Sequence, residues 1–187
     1  MAKFEIKTTP IEGLIEIYPK VFGDDRGYFM ETYNEAEFYE LGLEMKFVQD
    51  NQSKSKRGVL RGLHFQTAAQ QGKLVRAISG EVFDVAVDIR KDSPTYGKWH
   101  GVILSAEQKN MFYVPEGFAH GFLVLSETAE FVYKCTNLYR PEFEGGLRYD
   151  DSEIGIEWPL DRLDGVEISL SEKDTNQPTL ADGKIFL

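Results

Sequence analysis

Polar and apolar residues alternate in short runs along most of this chain, the period of a strand with one face in a core and the other in water. The run is clearest between positions 81 and 90, where Phe83, Val85, Val87 and Ile89 share one face and Asp84 and Asp88 are among the intervening positions. That spacing predicts a strand with one buried side. Comparable runs at 13–18, 28–33, 46–49, 59–66, 73–79, 98–105, 111–114, 120–125 and 130–136 predict further strands. Turn residues separate them, as in Gly23-Asp24-Asp25-Arg26-Gly27, Ser93-Pro94 and Pro115-Glu116-Gly117. One helix is predicted over 34–41, with Asn34 as N-cap, Glu37 in capping-box position, Phe38 and Leu41 on one face and Gly42 as the stop. A second helical turn is expected around 106–110, and 158–187 reads as loops and short turns over one end of a barrel. Many short strands at this spacing imply an all-β sandwich or barrel with a few short peripheral helices, in one domain over 1–187.

Composition narrows the class. The 187 residues are 42% hydrophobic and 13% aromatic, enough apolar mass for a core, and folding at this length removes roughly 70% of the unfolded surface from water. Cys135 is the only cysteine, so no internal disulfide framework exists and a reducing, cytoplasmic setting is expected. The N-terminal residues alternate polar with apolar, unlike a signal peptide, and no run nears the ~18 apolar residues of a spanning helix. A formal charge of −10 argues against nucleic acid or an anionic membrane as partner. Its distribution says more. No Asp or Glu occurs from Asn51 to Gly80, where Lys54, Lys56, Arg57, Arg61, Lys73 and Arg76 give +6, leaving −16 on the other 157 residues. A basic island on an acidic protein suits a small anionic ligand; a solvated face lacking acids is the plainer alternative.

Three histidines are candidates for chemistry: His64, His100 and His120. Pro115-Glu116-Gly117-Phe118-Ala119-His120 has the Pro-x-Gly-x-x-His spacing of the second half of cupin metal sites, but the His-x-His pair of the first half is missing. Ligand count therefore argues against a bound metal. His64 sits in Leu60-Arg61-Gly62-Leu63-His64-Phe65-Gln66. Strict alternation puts Arg61 and Leu63 on one face and Leu60, Gly62, His64 and Gln66 on the other, a poor core surface but a good wall for a polar cavity. A hydrogen-bonded structural histidine is the alternative.

Arg61-Gly62-Leu63-His64-Phe65-Gln66, Gly72-Lys73-Leu74-Val75, the strand from Gly80 to Asp88, the segment from Pro115 to Phe122 and Leu170-Ser171-Glu172-Lys173-Asp174 follow one another in a family's order. Together they resemble the dTDP-4-dehydrorhamnose 3,5-epimerases over about 13–174. The resemblance implies a metal-free cupin-type jelly roll, a homodimer with exchanged N-terminal strands, no cofactor, and a dTDP-sugar as the small-molecule substrate. It implies His64 as the base, Asp174 as its acidic partner, Tyr133 as proton donor and Lys73 near the ketone oxygen. It also implies sugar contact by His120, nucleotide-sugar contacts by Arg26, Glu31, Gln49, Asn51, Arg61, Glu144 and Lys173, and stacking of Tyr139 on thymine. Tyr149-Asp150-Asp151 departs from the Trp-Asn-Asp of many members, and 158–172 looks longer than in compact ones.

These assignments suit a proton transfer α to a ketone, which needs a base near neutrality and a positive group for the enolate oxygen. The rival readings are an epimerase of C3 or C5 alone, a 3,4-ketoisomerase, a metal-dependent cupin oxygenase, and a non-catalytic carbohydrate-binding jelly roll. The alternating segment Phe4-Glu5-Ile6-Lys7-Thr8 adds an expectation of its own: an edge strand in want of a partner.

Overall fold

The computed structural model describes residues 3–182. Its strands are β1 (Phe4–Thr8), β2 (Ile15–Pro19), β3 (Phe22–Asp24), β4 (Gly27–Phe29), β5 (Gln49–Lys56), β6 (Leu60–Gln66), β7 (Lys73–Ser79), β8 (Glu81–Asp88), β9 (Trp99–Ser105), β10 (Met111–Val114), β11 (Phe118–Val124), β12 (Thr128–Cys135) and β13 (Glu144–Gly146). Two short helices, α1 (Glu35–Glu40) and α2 (Glu172–Thr175), lie at the periphery. A six-stranded sheet in the order β1-β2-β10-β7-β12-β5 packs on a five-stranded sheet in the order β13-β6-β11-β8-β9. The all-β jelly-roll expectation holds.

The space between the sheets is filled from both sides, by Val75, Phe112 and Phe131 of one and Val82, Leu104 and Phe122 of the other. Burying each such side chain contributes roughly 1.5–3 kcal/mol. The outer faces are covered too. Leu63, Phe65, Val85 and Val87 lie with Leu147 and Ile154, while Ile17, Leu74 and Met111 lie with Phe4 and Phe38. So β8 is buried on both faces, and the one-sided strand expected there is corrected: Asp84 and Asp88 are fully buried.

Other differences have local causes. The strand expected at 46–49 runs instead from Gln49 to Lys56, because its inward positions are the polar Gln49, Asn51, Ser53 and Ser55, alternating with exposed Asp50, Gln52, Lys54 and Lys56. The strand expected at 28–33 is only the end of β4, which pairs with β3 in an exposed hairpin turning at Asp25 and Arg26 and leaves strand geometry after Phe29. Asn34 caps α1 by accepting from the amides of Ala36 and Glu37 at 3.1 and 3.3 Å, as expected. The helical turn expected around 106–110 is a single hydrogen-bonded turn, in which the Lys109 amide donates to Ser105 O at 2.9 Å. β1 pairs along its length with β2 of its own chain and is the outermost strand of its sheet.

One irregularity shapes the interior. β6 opposes β11 with His64 across from His120 but Arg61 across from Phe122, so β6 carries one extra residue. A Cβ on Gly62, at φ +139°, would lie 2.6 Å from the Gly121 Cα, and one on Gly121 would lie 2.7 Å from the Arg61 carbonyl oxygen. Only two glycines allow this approach. The bulge brings Arg61 onto the same cavity wall as His64 while Leu63 packs outside, which corrects the alternation expected from sequence.

Candidate active site

A cavity of about 430 Å³ opens between the sheets, the size that takes a small ligand. Arg61 and His64 enter it from β6, His120 from β11, Lys73 from β7 and Tyr133 from β12. His64 and Tyr133 thus stand on facing sheets. Lys173 and Asp174 reach the same cavity from α2. The strap before α2 is fixed by backbone: the Ser169 amide donates to Gly58 O at 2.8 Å and the Leu60 amide to Ser169 O at 3.0 Å. Ser171 then caps α2 by accepting from the Asp174 amide at 3.1 Å.

His64 Nε2 lies 2.5 Å from Asp174 Oδ1. A carboxylate only accepts, so in the neutral ring Nε2 carries the proton and Nδ1 keeps the basic lone pair. Burial pushes the Asp174 carboxyl up, but the hydrogen bond and charge of His64 outweigh it and hold Asp174 below its ordinary value. A second pair lies deeper: His120 Nε2 is 2.9 and 3.0 Å from the two oxygens of Asp84. Burial raises Asp84, with His120 and Lys73 pulling the other way. Burial also lowers the Lys73 ammonium, opposed by Cys135, Asp84 and Glu144, and raises the Tyr133 phenol.

Along the rim the Tyr139 amide donates to Gln49 Oε1 at 2.8 Å and its hydroxyl to Glu144 Oε2 at 3.0 Å. Glu144 in turn pairs with Lys173. Burial raises Glu144, yet bonds from Lys173 and Tyr139 bring it below its ordinary value. Asn51 accepts from Gln49 Nε2 at 3.1 Å, stands cross-strand from Tyr133 and lines a neighbouring cavity that shares Tyr133.

Six expected residues do not line the cavity: Gln49, Asn51, Tyr139 and Glu144 form the hydrogen-bonded set just described, while Arg26 and Glu31 lie away from both. Arg26 is at the tip of the β3–β4 hairpin with its side chain 90% exposed, paired to Asp24. Glu31 bonds Lys3 and Asn34 at 2.8 and 2.9 Å. Conversely, sequence reasoning missed Asp84 as the partner of His120. The available signal was a carboxylate amid Val82-Phe83-Asp84-Val85-Ala86-Val87, but an alternating strand allows an acid on a wet face. Each histidine has its own carboxylate neighbour, Glu16 for His100 at 3.6 Å, and no group of three or more metal-ligating side chains converges among the described residues.

The depressed Asp174 contributes stability that is fully present above the ordinary carboxylate value of about 3.9 and is lost as pH falls through its lower folded value. Urea unfolding from pH 6 to pH ~2.5 is therefore expected to show wild type losing more stability than Asp174→Asn below about pH 4. Equal losses contradict the pairing.

The family model described as dTDP-4-dehydrorhamnose 3,5-epimerase matches residues 8–182. A relative of that name from Methanothermobacter thermautotrophicus is 57% identical over 187 residues, all of both chains. Among solved structures, dTDP-6-deoxy-D-glucose-3,5-epimerase from Legionella pneumophila, in complex with dTDP-4-keto-L-rhamnose, is 51% identical with a TM-score of 0.91, over 95% of this chain and 93% of that one. A 3'-monoepimerase from Streptomyces bikiniensis in complex with dTDP-quinovose is 35% identical with a TM-score of 0.85, over 93% of this chain and 87% of that one. A jelly roll matched over nearly its whole length by these proteins has one assignment: the chain belongs to the dTDP-4-dehydrorhamnose 3,5-epimerase family and is an isomerase.

Proposed function

We propose that the chain inverts C3 and C5 of dTDP-4-dehydro-6-deoxy-D-glucose to give dTDP-4-dehydro-L-rhamnose, a step of dTDP-L-rhamnose synthesis, in the cytoplasm. The observation that carries this reading is a carboxylate-held histidine facing a tyrosine across one cavity, with a lysine beside them. His64 Nδ1 takes the proton α to the ketone, and the electron pair moves to O4 as the enolate forms. Asp174 holds the ring and stabilises the imidazolium, the part a carboxylate plays in hydrolase triads. Lys73 stabilises the charge growing on O4, where stabilisation lowers the barrier. Tyr133 returns a proton from the opposite face, so the carbon inverts. Proton transfers of this kind call on no redox cofactor. Arg61 and Lys173 suit the diphosphate, and Tyr139, half-exposed at the rim, offers its ring to thymine.

Variants test the roles separately in a coupled assay of product formation. His64→Ala is expected to lower kcat about 10²–10⁴-fold, and Lys73→Met about 10²–10³-fold. Tyr133→Phe is expected to keep α-proton exchange while losing inversion. Product formed at the wild-type rate by His64→Ala contradicts the mechanism; inversion at a single carbon by wild type points to a single-site epimerase.

We further propose a homodimer in which the segment around the β3–β4 hairpin reaches the partner, so that Arg26 and Glu31 serve the partner's cavity while β1 stays paired with β2 of its own chain. Support comes from the hairpin beside them, where Phe22, Tyr28 and Phe29 are 47, 61 and 65% exposed, and from the open edge of β1. Light scattering on a sizing column is expected to give twice the chain mass. A monomer contradicts it.

A further inference from the structure

Gln66 closes the most distinctive sequence motif of the chain, yet the proposed chemistry gives it no task. Its side chain is buried, with 5% of the residue exposed at the end of β6. The amide uses both of its functions on backbone. Nε2 donates to Ala69 O at 2.6 Å and to Leu138 O at 3.4 Å, and Oε1 accepts from the Arg140 amide at 2.6 Å. The last two partners flank Tyr139. The amide of Tyr139 is itself held by Gln49 Oε1, so three consecutive residues, 138–140, are tied by two glutamine side chains. Above this fixed backbone Tyr139 is 49% exposed, and its hydroxyl donates to Glu144.

We propose that Gln66 is a positioning residue that pre-sets the Tyr139 ring as a platform for the nucleobase. The role rests on the reading of Tyr139 given above. An exposed aromatic on a mobile loop must be ordered when ligand binds, at a cost in affinity; a loop ordered beforehand avoids it. The buried amide supplies that order, because two of its three bonds hold backbone groups of Leu138 and Arg140 that would otherwise have to find other partners. Among the described residues no hydrogen bond of this arrangement runs to His64, Lys73 or Tyr133, although Gln66 shares a small cavity with Lys73, so the larger effect falls on binding rather than on proton transfer.

The test is a double-mutant cycle read by calorimetry with dTDP and by steady-state kinetics with the dTDP-sugar. Gln66→Met keeps the length of the side chain and removes the amide. It is expected to weaken dTDP binding and raise KM about tenfold, the effect of losing roughly one buried hydrogen bond, with kcat held within about twofold. In a Tyr139→Ala background the same change is expected to cost dTDP affinity nothing further. An equal loss in both backgrounds, or a fall in kcat at constant KM, overturns the proposal. Tyr139→Ala that weakens dTDP while Gln66→Met leaves it unchanged overturns the role of Gln66 alone. Unchanged dTDP binding by Tyr139→Ala overturns the platform reading and this role with it. Should Gln66→Met fold poorly, Gln66→Glu, which keeps an acceptor for the Arg140 amide, takes its place in the cycle with a smaller expected loss.

Discussion

The hydrogen bond between His64 and Asp174 joins residues 110 positions apart, and most of the site's architecture serves to bring them together. His64 is delivered by β6, an interior strand of the five-stranded sheet. Asp174 arrives on a single helical turn at the end of a long irregular strap. Loop entropy alone would scatter that turn over many positions. Pinning Ser169 between Gly58 and Leu60 removes most of this freedom five residues before Asp174, and Ser171 fixes the turn itself. The strap is therefore part of the site, although almost none of it is regular structure.

A second constraint is electrostatic. Lys73, Asp84 and His120 lie deep between two apolar sheets, where an isolated charge is costly. They are tolerated as a group, because each one offsets part of the burial of its neighbours. The same enclosure strengthens any interaction between Lys73 and charge developing on a bound ligand. Polar positions on β5, β6 and β8 face inward for this reason, and the usual assignment of polar to outside is inverted around the cavity.

That inversion explains what was legible in the sequence. Strands rich in apolar residues, such as β7 and β9, stand out from the turns around them, and α1 is announced by Asn34 and Gly42. β5 was hidden because Gln49, Asn51 and Ser53 look like a loop when read as solvent-facing. Asp84 was hidden for the same reason. The cavity-ward placement of Arg61 was not readable from alternation, since a one-residue bulge depends on Gly62 meeting Gly121, far along the chain. Motif resemblance brought seven of the expected side chains to one cavity: Arg61, His64, Lys73, His120, Tyr133, Lys173 and Asp174. Gln49, Asn51, Tyr139 and Glu144 are linked to one another beside it, and Arg26 and Glu31 lie elsewhere in the chain.

The central claim is that one carboxylate-held histidine removes the protons on both sides of the ketone. Incubation with dTDP-4-dehydro-6-deoxyglucose in D2O, with H3 and H5 followed by NMR, reads it directly. The account predicts deuterium at both carbons with the wild-type protein and at neither with His64→Ala. Undiminished exchange at both carbons in that variant would contradict it.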